Sequence, residues 1–146
     1  MMSKTTKAGR DPLEIAALFG AVADLTRLRI VRLMAFNDAK ICVCELVDCL
    51  EEPQYAVSRH LRELRDCGLL EAERDGRWMY YSLCDDETAQ RVAQLLIALP
   101  CDAFEAEQRR FEARMDLRVE GCCCIGIQNT SLSDSETTVG AQEVGV

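Results

Sequence analysis

Between residues 53 and 83 the chain changes periodicity once and reverses direction once, and this restricts the fold more than any other stretch. Pro53 forces the residue before it out of helical geometry, so a new helix starts there. Residues 54–67 carry Tyr55 or Ala56, Val57, Leu61, Leu64 and Cys67 at helical spacing and stop at Gly68, a residue suited to a left-handed cap. Residues 69–74 and 78–83 follow as strand-like runs around Asp75-Gly76, a strong hairpin signal. In the strands, Trp78, Tyr80 and Tyr81 alternate, so at least one face covers a core; they are read as packing groups.

Upstream, Asp11 and Pro12 are an N-cap and a first helical residue for 12–23, whose Leu13, Ile15, Ala16, Phe19, Val22 and Ala23 leave few polar positions. So apolar a helix is expected to be covered on more than one side, as at a subunit interface. Residues 25–36 repeat Leu25, Leu28 and Phe36 at helical spacing, with Arg27, Arg29 and Arg32 outside the apolar stripe. A short helix at 43–50 precedes Glu51-Glu52-Pro53. Beyond the hairpin, Asp85 or Asp86 caps a helix that Pro100 ends, and 104–117 is a second amphipathic run. The order helix, helix, short helix, turn, helix, hairpin is that of a winged helix-turn-helix: mainly α with a β-hairpin wing, an α+β fold. We expect three parts: 8–100 as the DNA-binding and dimerisation unit, 101–118 as a C-terminal helix, and 119–146 as a cysteine-containing disordered tail, Ser/Thr/Glu/Gly-rich from Thr130.

A formal net charge of −8 argues against contact with nucleic acid until it is divided along the chain. Residues 1–84 hold 12 Lys/Arg against 13 Asp/Glu, whereas 85–146 hold 5 against 12. On 54–65, Arg59, Arg62 and Arg65 outnumber Glu63, and local field governs docking on phosphates. The same segment buries Val57, Leu61 and Leu64 and offers Gln54, Tyr55, Ser58, Arg59 and Arg62 to bases and phosphates. Arg74 and Arg77 flank the hairpin tip, where a wing reaches the minor groove or backbone. His60, the single histidine, is expected to pack or bond locally and not to bind metal.

Nine cysteines in a chain without an apolar stretch behind its basic start point to a reducing, cytoplasmic setting, and so to metal binding, redox sensing or burial before disulfides. No stretch is apolar enough to span a membrane. No CxxC, nucleotide-binding glycine loop or nucleophile with a basic partner occurs, which argues against an enzyme. Cys67, Cys84 and Cys101 read as small core residues.

Residues 12–84 resemble the ArsR/SmtB group of metal-responsive winged-helix repressors. Cys42-Val43-Cys44-Glu45-Leu46 looks like that family's arsenic-site motif, Ser58-Arg59-His60-Leu61 its recognition helix, and 68–70 through 76–81 its wing. The resemblance implies a homodimer, joined through the first and post-wing helices, that represses a double-stranded operator until an inducer binds. It adds His60 to the DNA-binding set. Cadmium/lead-type sites need cysteines in the N-terminal arm, and residues 1–41 have none; zinc-type sites need histidines that this chain lacks.

Two thiolates without a supporting histidine select a soft ion, As(III) or Sb(III), as a transient inducer and not a permanent cofactor. Residues i and i+2 of a helix point about 200° apart, so Cys42 and Cys44 share an ion only where the helix unwinds or begins after Cys42. On either route, ligand capture is expected to compete with a regular helix. Three sources of a third ligand stay open: Cys49, the Cys122-Cys123-Cys124 run, and a small thiol from solution. A redox- or persulfide-sensing repressor of the same fold is the alternative use of these thiols.

Overall fold

The computed structural model describes residues 9–123 and 125–128. Its elements are α1 (Pro12–Val22), α2 (Leu25–Asn37), β1 (Ile41–Cys42), α3 (Val43–Leu50), α4 (Gln54–Asp66), β2 (Leu70–Asp75), β3 (Trp78–Leu83), α5 (Glu87–Ala98) and α6 (Ala103–Met115).

Local chemistry sets most boundaries. Asp11 and Glu14 form a reciprocal capping box at α1, with Pro12 in the first turn, and the Asp24 and Asp86 side chains cap α2 and α5. Arg10 donates to both Asp86 carboxylate oxygens at 2.8–2.9 Å and to the Gly68 carbonyl at 3.2 Å, tying the N-terminal arm to the ends of α4 and α5.

The hairpin turns one residue later than the sequence suggested. Asp75 pairs with Trp78, so the two-residue loop is Gly76-Arg77. Gly76 takes φ +67° in the first loop position, the arrangement that a type II′ hairpin turn favours. The antiparallel sheet has order β1-β3-β2, and β1, two residues long, pairs Ile41 with Tyr81 and Cys42 with Tyr80. Periodicity does not reveal a strand this short. The main core joins Ile30 and Leu33 of α2, Leu46 of α3, Leu61 and Leu64 of α4, and Leu70 of the hairpin.

α6 lies along α3. Arg110 donates to the Cys49 carbonyl at 2.7 Å, Arg114 pairs with Asp48 at 2.7 Å, and Arg118 pairs with Glu45 at 2.8 Å, stepping from the end of α3 to its start. The segment after α6 differs from the expected disordered tail over its described part. Val119 and Cys122 form an antiparallel bridge, and Cys123 is 2 % exposed. The Ser/Thr/Glu/Gly-rich stretch from Thr130 lies outside the described residues.

α1 leaves Leu13 and Phe19 exposed, at 81 % and 50 %. On α5 and just beyond it, Leu95 and Leu99 are exposed as well. Among the described residues no helix is long and apolar enough to cross a membrane.

Candidate functional site

Cys42 ends β1 and serves as the N-cap of α3 in extended geometry, φ −92° and ψ 167°, while Cys44 is the second residue of the helix. The backbone bend between strand and helix removes the 200° opposition of a regular helix. The two Sγ atoms stand 3.0 Å apart with α3 intact. Of the two routes open to the sequence, the helix begins after Cys42, so the two sulfurs meet beside a regular α3.

Cys123 completes the group. Its Sγ is 3.4 Å from that of Cys44, and the three sulfurs lie within 4.8 Å of one another, all buried. Trp78, Tyr80 and Ile127 wall the cluster. Cys49 is not in it: its side chain is 0 % exposed within the main core, where burial pushes the thiol up to about 12. Five residues after Cys44 on a regular helix, it faces another direction. Cys122 is exposed, and Cys124 lies outside the described residues. Cys67 and Cys84 pack against the core as expected, but Cys101, after Pro100 at the α5–α6 junction, is exposed.

Polar groups fix the triad from outside. Glu45, 0 % exposed, accepts the Cys42 backbone N–H at 3.1 Å and two N–H groups of Arg118 at 2.8 Å each. The Cys123 N–H donates to the Tyr80 hydroxyl at 2.9 Å. Arg114 donates to the Gly126 carbonyl at 2.8 Å and points Nη2 at Cys123 Sγ, 3.8 Å away; its Nη1 is buried with no hydrogen-bond partner among the described residues. Asp48 accepts the Gln128 N–H at 3.0 Å.

These contacts divide the thiols by charge. Hydrogen bonds from Cys42 and Cys44 hold Cys123 well below the ordinary thiol range, and Arg114 adds to this. Cys42 and Cys44 are raised, chiefly by their hydrogen bonding to Cys123 and by burial. These directions place negative charge first on Cys123 and keep Cys42 and Cys44 protonated longest. The sequence signal for the clamp was available in the four-residue spacing of Arg110, Arg114 and Arg118, but a charged helix face looks the same when it is merely solvated.

α4 sits apart from the sulfurs. Tyr55, Arg59 and Arg62 on α4 are exposed, Ser58 is half-buried, and the Arg59 guanidinium lies 5.8 Å from the Tyr55 ring centre. Gln54 differs from its expected place on this face: it is buried, in the first turn of α4 only three residues after α3. His60 is half-buried and turned toward α2, with Nδ1 accepting from Arg27 at 3.2 Å and Nε2 lying 3.9 Å from Asp24. At the wing Arg74 and Arg77 are exposed, Arg77 lying 4.8 Å from the Trp78 ring centre.

A helix-turn-helix with an arginine-bearing second helix, followed by a hairpin wing, defines a winged-helix transcription regulator. Comparison with known proteins gives the same class. Residues 24–72 match the family described as "Bacterial regulatory protein, arsR family". The arsenical resistance operon repressor of Escherichia coli (strain K12) is 44 % identical over 96 residues, which cover 66 % of this chain and 77 % of that protein. The cadmium resistance transcriptional regulatory protein CadC homolog of Staphylococcus aureus is 30 % identical over 95 residues, 65 % of this chain and 78 % of that one. Among solved structures, reduced HlyU from Vibrio cholerae N16961 is 30 % identical with a TM-score of 0.56, covering 62 % of this chain and 92 % of that chain. The chain belongs to the arsR family of bacterial regulatory proteins.

Proposed function

We propose that this protein is a homodimeric, cytoplasmic repressor that leaves its operator when As(III) or Sb(III) binds Cys42, Cys44 and Cys123. The observation that carries the reading is the buried three-sulfur group. With metal–thiolate bonds of roughly 2.3 Å, taken from zinc, two sulfurs at right angles on one ion stand roughly 3.3 Å apart. The separations of 3.0 and 3.4 Å are close to that value. Three sulfurs with no histidine beside them suit a thiophilic, three-coordinate ion better than zinc, which takes four ligands in structural sites.

Tyr55, Ser58, Arg59 and Arg62 would meet the major groove, with Arg74 and Arg77 on the flanking backbone or minor groove. The exposed apolar residues of α1 and α5 support a subunit interface there, since contiguous apolar surface on a regulator marks a contact.

Gel retardation of the purified protein on its operator tests the reading. Arsenite should release the wild type, while Cys42→Ser, Cys44→Ser and Cys123→Ser stay bound. Release by peroxide or persulfide with indifference to arsenite would replace it with a thiol-redox sensor.

A further inference from the structure

We infer that Arg118 is a positioning residue of the sulfur site, holding both of its sides in register through Glu45; this rests on the three-thiol reading above. The ion pair is unusual in its connections. Glu45 reaches the backbone of one proposed ligand, accepting the Cys42 N–H at 3.1 Å. Arg118 reaches the segment that carries another, donating to the Gly121 carbonyl at 3.2 Å, two residues before Cys123. The same guanidinium donates to the Lys40 carbonyl at 2.8 Å, just before β1, and lies 5.5 Å from the Tyr80 ring centre. One planar fork thus fastens the residue before β1, the cap of α3 and the turn before Cys123.

A carboxylate with no exposed surface is costly to bury unless it is paired and hydrogen-bonded. A well-packed apolar pair would serve stability as well, so stability alone does not account for Glu45–Arg118. What an apolar pair would lack is direction: five N–H groups in a fixed plane set the turn's position relative to Cys42. Cys123 sits on irregular backbone, where a thiol tethered only by chain connectivity would sample many positions. The Tyr80 hydroxyl beneath the Cys123 N–H, and Arg114 on the Gly126 carbonyl, complete the hold on the far side. Groups in this position behind metal ligands contribute 10–100-fold to affinity.

The test uses the full-length protein with arsenite as the probe. Affinity is read by titration, and the number of sulfur neighbours by X-ray absorption at the arsenic edge. Wild type should give three sulfurs and Cys123→Ser two. Arg118→Gln should weaken arsenite about 10–100-fold, with the sulfur number falling toward two, while the protein still binds its operator without arsenite. Arg118→Lys, which keeps the charge but loses the fork, should fall between them. Tyr80→Phe keeps the ring and removes only the acceptor for the Cys123 N–H; it should weaken arsenite several-fold, and it carries the test if Arg118→Gln does not fold. Three sulfurs and wild-type affinity in Arg118→Gln and Tyr80→Phe, with Cys123→Ser at two, would overturn the positioning role and leave the ligand set standing. Three sulfurs in Cys123→Ser would overturn both.

Discussion

Arsenite loading should take up one proton per site and therefore weaken as pH rises. The Cys123 thiol is lowered by its hydrogen bonding to Cys42 and Cys44 and by Arg114 at 3.8 Å, whereas the other two thiols are raised, so we take the free cluster to hold its one negative charge on Cys123. Arsenous acid is neutral near pH 7 and exchanges its three hydroxyls for three sulfurs. With two thiols and one thiolate the balance is As(OH)3 + 2 RSH + RS− + H+ → As(SR)3 + 3 H2O, so three As–O bonds break, three As–S bonds form and no electrons move. Between the lowered pKa of Cys123 and the raised values of its neighbours, the affinity should fall tenfold per pH unit, about 1.4 kcal/mol. From pH 6 to pH 8 that is about a hundredfold. The chain has one tryptophan, Trp78, and it lies in the wall of the cluster, so its fluorescence is a direct reporter of loading. Titrations at pH 6, 7 and 8 give the slope of log affinity against pH, expected near −1. A slope of zero would mean three protonated thiols in the free protein and would refute the shared-thiolate description; a positive slope would reverse its sign.

Cys49→Ala should cost about 1 kcal/mol of stability, a loss comparable to deleting one buried methylene, because the side chain has no exposed surface. It should lower the melting temperature by about 3–5 °C while arsenite affinity stays unchanged; a lost arsenite response would restore Cys49 as a ligand. Arg62→Ala should weaken operator binding and reduce the slope of log affinity against log salt by about 0.9, the signature of one lost phosphate contact. A relaxed base preference with an unaltered slope would make Arg62 a base reader. Phe19→Glu, at a position 50 % exposed on α1, should yield a species of half the wild-type mass in light scattering; an undiminished mass would remove α1 from the interface.

The parts of the fold legible in the sequence are those where a local rule acts alone. Helix starts at Asp11 and Asp86 follow from side-chain caps, and the α4 stop follows from Gly68 with φ +90°. The hairpin was legible, but its tip was shifted by one residue, because Asp-Gly suits one two-residue loop and Gly-Arg another, and only the pairing of Asp75 with Trp78 decides. Cys42 and Cys44 stood out by spacing. Cys123 remained one of several alternatives, because it reaches the site by a tertiary fold-back. That fold-back depends on Arg110, Arg114 and Arg118 finding α3, and no spacing within 119–128 encodes it. The same limit applies to Gln54 and His60. The helical pattern places Gln54 on the exposed face and the family resemblance adds His60 to it, but Gln54 is buried at the corner after α3, and His60 bonds locally to Arg27 and lies by Asp24, as its own reading expected.

Because the sulfurs are already gathered while α3 is regular, ligand capture by Cys42 and Cys44 does not require that helix to unwind. A ligand shifts an equilibrium only by its difference in affinity for the two states, so release by arsenite, as proposed, requires an operator-bound state in which the cluster is less well formed. α6 offers a physical connection. Near the sulfurs it carries Arg114, followed shortly by Arg118; toward its start, Glu107 pairs with Arg29 of α2, which also donates to the Leu50 carbonyl at 2.8 Å and reaches Glu52 at 3.4 Å. Leu50 and Glu52 form the corner that leads into α4, so on the proposed function a shift of α4 against DNA would pull through Arg29 on α6 and thus on the turn that holds Cys123. Coupling of this kind is typically worth about 1–3 kcal/mol and is reciprocal, so operator DNA should weaken arsenite by about 5–150-fold, the same factor by which arsenite weakens the operator. Glu107→Gln should leave arsenite affinity without DNA near the wild-type value and shrink that factor, measured by Trp78 titration with and without operator. A factor identical to wild type would exclude α6 as the connection.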